Sequence, residues 1–156
     1  MSPVHLAYRI AQRIRLVYWR IMKPRISGVK VIALRHDSHV LLVRHSYQSP
    51  ELFMLPGGGM DRAESEIEAG VRELREETGC GLRDVRVHGE FFSTAEGARN
   101  HITVLIGQAD GEPRVDGKEI IEAAFLPLHR LPANVAPATL RGLIEVRDGL
   151  PPAESW

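Results

Sequence analysis

The sequence predicts an α/β fold, a β-sheet covered by helices, preceded by one further amphipathic helix. Three observations carry that prediction. Segments rich in β-branched residues recur between residues 28 and 126, a helical segment interrupts them after Ser65, and helical periodicity brackets them at both ends.

Residues 4–22 place Leu6, Ile10, Ile14, Val17 and Ile21 on one side of a helix that Pro24 ends, with most of the arginines on the other side. Arg9, Arg13, Arg15, Arg20, Lys23, Arg25, Lys30 and Arg35 all precede the first acid, Asp37. Residues 1–27 are therefore read as a basic helix with its linker, and residues 28–156 as the domain. Three accounts of the helix stay open: docking on the domain or on a partner subunit of a homodimer, peripheral contact with an anionic membrane surface, and an Arg-rich targeting segment. Docking through the apolar side is the default, because amphipathic helices mostly bury that side against protein. No recognisable nucleic-acid-binding module accompanies the basic segment, so no specific nucleic-acid binding is expected.

Residues 28–34 and 40–44 read as a hairpin across the polar turn at residues 36–39, and residues 52–55 as a strand leading into Gly57, Gly58 and Gly59. A glycine run at that point allows a sharp turn and a close backbone approach. Ser65 and Glu68 then have capping-box spacing, Ile67, Val71 and Leu74 form an apolar stripe expected to face inward, and Gly79 sits where a left-handed cap ends the helix. Residues 85–92, 101–106 and 121–126 are further strands, and residues 137–147 a closing helix.

The central helix carries the feature that most needs a reason. Glu73, Glu76 and Glu77 stand at i, i+3 and i+4, so their carboxylates share one side of the helix and repel one another. Their place at the C-terminal end of the helix dipole adds a second penalty. A hard divalent cation bound by oxygen removes both, and Mg²⁺ is the usual ion where a phosphate completes the coordination. Arg72 and Arg75 offset part of the charge without metal, so on the triplet alone a solvated Glu/Arg helix explains the pattern equally well.

Spacing decides between them. Gly58, Glu64, Arg72-Glu73-Leu74, Glu76-Glu77 and Gly79 fall at the intervals of the Nudix box, and this stretch resembles the signature of the Nudix hydrolase family. Cys80 stands where the family has an aliphatic residue, a mild substitution for a small buried side chain. Ala63 replaces a glycine that many members carry. The resemblance covers residues 28 to about 148 and leaves the first helix outside it. It implies an α/β/α sandwich with a mixed sheet, and Mg²⁺, with Mn²⁺ as a substitute, held by Glu73, Glu76, Glu77 and the Gly57 carbonyl. It also implies that Arg72 and Glu64 orient the carboxylates, although a structural ion pair describes Arg72 as well. The reaction implied is attack by water at a phosphorus of a nucleoside diphosphate linked to another group.

A phosphoanhydride is surrounded by negative oxygens, so its hydrolysis needs charge neutralisation and an aligned water. Glu119 and Glu122 both open the last strand and are candidates for the general base, Glu119 the preferred one. Arg44, His45, Tyr47, Gly58, Gly59 and His101 are candidate substrate contacts, with surface or packing roles the plainer reading for Arg44, Tyr47 and the histidines. Phe53 or Phe125 would be the aromatic to stack on a base, unless both are core residues. Residues 93–97 show none of the motifs that distinguish ADP-ribose, dinucleoside polyphosphate, NADH or coenzyme A subfamilies, which disfavours them without excluding them. The resemblance to short, single-domain members, which often hydrolyse nucleoside triphosphates, implies a (d)NTP pyrophosphatase. A non-catalytic, nucleotide-sensing or regulatory module on the same scaffold is the alternative. The intact triplet favours catalysis, since a pure binding module has no need to tolerate its repulsion.

The length of 156 residues suits a single domain around one core. With Cys80 the only cysteine, an internal disulfide and a thiolate zinc cluster are excluded, and a reducing compartment, the cytoplasm, is expected. No apolar run reaches bilayer-spanning length.

Overall fold

The strand β1 (Arg25–Arg35) takes partners along both edges and thereby sets the order of a six-stranded mixed sheet. On one edge it runs parallel to β5 (Arg99–Asp110), Ile32 opposite Ile106. Its other edge is shared by two antiparallel neighbours: β2 (His39–His45) pairs near the end of β1, and the three-residue β3 (Gly57–Gly59) pairs with residues 28–30. β4 (Gly81–Ser93) extends the sheet beyond β5, and β6 (Ile120–Pro127) beyond β2. This computed structural model describes residues 3–22, 25–93 and 99–156, with backbone alone for residues 18–22, 25–26, 93 and 99. Pro24 and residues 94–97 of the subfamily window lie outside the described residues.

Alternation along the strands divides the core in two. Ile32, Val40, Leu42, Phe91 and Val104 point to one face and pack with Leu143 of α3 (Pro137–Asp148). Val31, Ala33 and Leu41 point to the other and pack with Leu74 of α2 (Glu66–Thr78) and with Cys80. Helices cover both faces, which is the α/β/α arrangement. Burying a leucine such as Leu74 completely contributes about 2 kcal/mol, so each face anchors its helix.

Two expectations fail near the glycines. Residues 52–55 form no strand, because their backbone groups are divided among separate partners. Phe53 N–H donates to Asn134 O at 2.8 Å, Ala136 N–H donates to Phe53 O at 2.9 Å, and Leu55 N–H donates to Thr139 Oγ1 at 3.2 Å. The segment therefore fastens the start of α3, and only the isolated bridges Phe53–Val135 and Val43–Met54 remain. The glycines, expected to turn, run extended as β3.

In α2 both halves of the capping box form, and Gly79 caps the other end at φ 74°. The inward face is displaced from the expected stripe. Ile67 is exposed, and the buried positions are Ala69, Gly70, Leu74, Glu77 and Thr78. A Cβ on Gly70 would stand 2.4 Å from Leu105 Cδ1, so the helix comes closest to the sheet at that glycine. The consequence is that the buried stripe Gly70, Leu74, Glu77 ends in a carboxylate.

The first helix, α1 (Pro3–Met22), docks by the side opposite to the one expected. Leu6, Ile10, Ile14 and Val17 are 49, 50, 66 and 58% exposed, whereas Gln12 is buried. Tyr8 stacks on Tyr47 with ring centroids 5.7 Å apart, and His5 Nε2 lies 2.7 Å from the Gly117 carbonyl oxygen. The surface that receives the helix offers a phenol ring and a carbonyl, so the polar and aromatic side of the helix satisfies it. No helix among the described residues is long and apolar enough to cross a membrane.

Candidate active site

With α2 fixed at both ends, its last two turns hold Glu73, Glu76 and Glu77 beside β3. Gly57 N–H donates to Glu77 Oε2 at 3.0 Å. Gly57 has φ 150°, and a Cβ there would stand 2.0 Å from the Val29 carbonyl oxygen, so no other residue fits. At Gly58 a Cβ would fall 2.6 Å from Glu73 Oε1; the missing side chain is the space that the carboxylate fills. Close approach, rather than turning, is what these glycines provide.

Glu77 is 7% exposed. Burial pushes its carboxyl up to about 8, against the pull of Lys30 and the Gly57 N–H, and the charges of Glu73 and Glu119 push the same way. Glu73 is also raised, by burial first, with Arg72 opposing. Arg72 links the group. Its Nε and Nη2 grip Glu64 Oε1 and Oε2 at 2.7 and 2.8 Å, its Nη1 reaches Glu73 Oε1 at 2.8 Å and Glu76 Oε2 at 3.3 Å, and Nη2 also donates to Gly59 O at 3.0 Å. That two-pronged grip holds the Glu64 carboxyl down at about 2. As the side chains stand, no three carboxylate or histidine groups among the described residues converge on one point, and Arg72 Nη1 lies between Glu73 and Glu76.

The two acids near β6 separate clearly. Glu119 accepts a 3.0 Å hydrogen bond from the Tyr47 hydroxyl, and its charge is felt at both Glu73 and Glu77. Glu122 is opposite Arg44 in the β2–β6 register and accepts from Arg44 Nε at 2.6 Å. Arg44 Nη1 is spent on the Pro50 carbonyl at 3.0 Å. Arg44 and Glu122 thus occupy each other, away from the cleft.

That cleft, about 270 Å³, opens beside β3 and is lined by Gly57, Gly58, Gly59, Lys30, His45, Tyr47, His101 and, from α1, Arg15. His45 is 2% exposed, and neither ring nitrogen has a hydrogen-bond partner among the described residues. Burial, then the Lys30 charge, pushes it down to about 4, so its imidazole is neutral at pH 7. His101 stacks on Phe92 at 4.8 Å and its Nε2 is 3.3 Å from Glu90 Oε1. Phe53 is a core residue and Phe125 lies 4.4 Å beneath the Arg35 guanidinium, so neither lines the cleft. Lys30, Arg15 and Asn100 were not singled out from sequence as cleft residues. The first is legible only through its register opposite Gly57, and nothing local marks the other two.

The NUDIX domain family model matches residues 24–145. The chain belongs to the Nudix family. Its Nudix box occupies β3, α2 and the loop between them. Among Nudix relatives, the NAD-capped RNA hydrolase NudC of Photorhabdus laumondii is 28% identical over 112 residues, which are 70% of this chain and 42% of that protein. The putative mutator protein MutT4 of Mycobacterium tuberculosis is 33% identical over 104 residues, 64% of this chain and 42% of that protein. The chain spans less than half the length of these curated relatives. Among solved structures, a MutT Nudix hydrolase from Burkholderia pseudomallei matches with a TM-score of 0.68 and 27% identity, over 78% of this chain and 98% of that one. A MutT protein from Methanosarcina mazei Go1 matches with a TM-score of 0.65 and 26% identity, over 81% and 95% of the two chains. The sandwich is thus shared with these two solved structures, and α1 precedes the segment that the family model matches.

Proposed function

We propose that this protein hydrolyses a phosphoanhydride bond of a nucleoside diphosphate-linked compound with a divalent cation, nucleoside triphosphates being the favoured substrates. The observation that carries the reading is Glu77, a buried carboxylate that Glu73 and Glu119 raise further and that stays raised despite the pull of Lys30. An all-oxygen donor set of Glu73, Glu76, Glu77 and the Gly57 carbonyl suits Mg²⁺ or Mn²⁺. Bound there, such an ion supplies charge neutralisation at the phosphoryl oxygens and polarises the bond that breaks.

The remaining roles belong to side chains. Arg72, gripping Glu64, orients Glu73 and Glu76 and offsets their mutual repulsion. Lys30 and Arg15 bind the phosphate oxygens that enter the cleft, and the glycine backbone lets those oxygens come close. His45 offers a neutral ring to a polar group of the substrate, and His101 with Phe92 borders the same opening. Glu119, held by the Tyr47 hydroxyl, accepts the proton of the attacking water. A reducing compartment, and so the cytoplasm, suits the single buried thiol Cys80.

The names of the NudC relatives add NAD-linked substrates to the compounds worth testing. A panel of nucleoside triphosphates, nucleotide sugars, dinucleoside polyphosphates and NAD, each with Mg²⁺ or Mn²⁺ and then with chelator, tests the reading, with products identified to locate the bond cleaved. Turnover that chelator abolishes is the expected result. Tight nucleotide binding with no turnover across the panel would select the sensing module instead.

A further inference from the structure

We propose that the outer face of α1 lies on an anionic lipid surface. Leu6, Ile10, Ile14 and Val17 recur at helical spacing, and all four are exposed on the side of the helix turned away from the domain. Four large aliphatic side chains in one row, on a helix already docked by its other side, are a contiguous apolar strip with no function in the isolated chain. Arg9 and Arg13 line one shallow groove with Leu6 and Ile10, so cations flank the strip directly. No acid occurs before Asp37, so the helix itself carries no carboxylate.

Charge selects the occupant. Pairing this face with the same face of a second copy would bring two sets of arginines together with no carboxylate on either helix to answer them. Lipid phosphates provide that answer, while the acyl boundary accepts the aliphatic row; a basic amphipathic helix lying in the plane of the interface combines both. Docking through Tyr8, Gln12 and His5 means that the helix need not leave the domain to do so. The catalytic cleft is then carried to the membrane with its helix in place. This inference is independent of the hydrolytic reading.

The test is vesicle flotation of the full chain, with phosphatidylcholine alone and with a phosphatidylcholine–phosphatidylglycerol mixture of about seven to three. The protein is expected to float with the anionic vesicles, to be released by added salt, and not to float with the neutral ones. The double variant Ile10→Asp/Ile14→Asp changes only exposed positions, so its circular dichroism melt should match the native one. Its partitioning should fall at least about tenfold. Failure of the native chain to float with anionic vesicles overturns the proposal, as does flotation of the double variant at the native level. Sedimentation showing a native dimer that the double variant dissolves, without lipid binding, would assign the face to a second copy instead.

Discussion

Gly57 N–H donates a 3.0 Å hydrogen bond to Glu77 Oε2, tying the glycine strand to the last turn of the central helix. This donor and the Lys30 charge together offset only part of the cost of burying a carboxylate among other acids, so the Glu77 carboxyl stays raised, to about 8. On the proposed reading, a divalent cation bound beside Glu77 would relieve that cost.

Glu77→Gln keeps an oxygen for the Gly57 N–H and removes the charge. Steady-state assays should show hydrolysis reduced at least about a hundredfold. In calorimetry without metal the variant should melt above the native protein, and Mg²⁺ should raise the native melting temperature but not that of the variant. A native rate in the variant would remove Glu77 from the site.

Gly58→Ala tests the space filled by Glu73. The added methyl displaces that carboxylate, the far end of a flexible side chain, so the fold should survive while the Mg²⁺ concentration for half-maximal activity rises about tenfold or more. An unchanged metal titration would show that Glu73 takes no part.

The two acids near β6 predict opposite phenotypes. Glu119→Gln should lower kcat at least about tenfold with little change in stability, as for loss of a general base. Glu122→Gln should leave kcat intact and cost about 1 kcal/mol or less by denaturant titration, since its ion pair with Arg44 is partly exposed. Reversal of the two results would exchange their roles.

Arg15→Ala removes a cation that the first helix brings to the cleft. If it binds substrate phosphate in ground and transition states alike, KM should rise about tenfold with kcat unchanged. A fall in kcat at constant KM would mean that Arg15 acts on the transition state alone.

His45 predicts the acid limb of the stability profile. Its pKa is about 4 in the fold against an ordinary value of 6.5, so only the unfolded chain takes up its proton between those pH values. Its contribution is complete above pH 6.5 and is lost as the pH falls toward 4, by about 3 kcal/mol in all. Denaturation of His45→Gln across this window should show a shallower decline, and parallel profiles would contradict the assignment.

Much of this was legible in the sequence because the signals were local. Ser65, Glu68 and Gly79 fix the ends of α2 by capping, and the helix then carries Glu73, Glu76 and Glu77 in its last two turns. What escaped was decided by contacts between distant segments. Three glycines carry no strand pattern, so β3 exists only because β1 pairs with it. The mutual occupation of Arg44 and Glu122 follows from the register of β2 on β6. The side on which α1 docks was set by Tyr47 and the Gly117 carbonyl rather than by the amphipathic pattern of the helix itself.

Tyr47 rests on Tyr8 and at the same time grips Glu119, so a side chain near the start of the polypeptide touches the support of an acid more than a hundred residues away. On the proposed reading, unseating the opening segment would slacken that support and at the same time withdraw Arg15 from the cleft. A hydrolysis rate would then gauge whether the segment is seated.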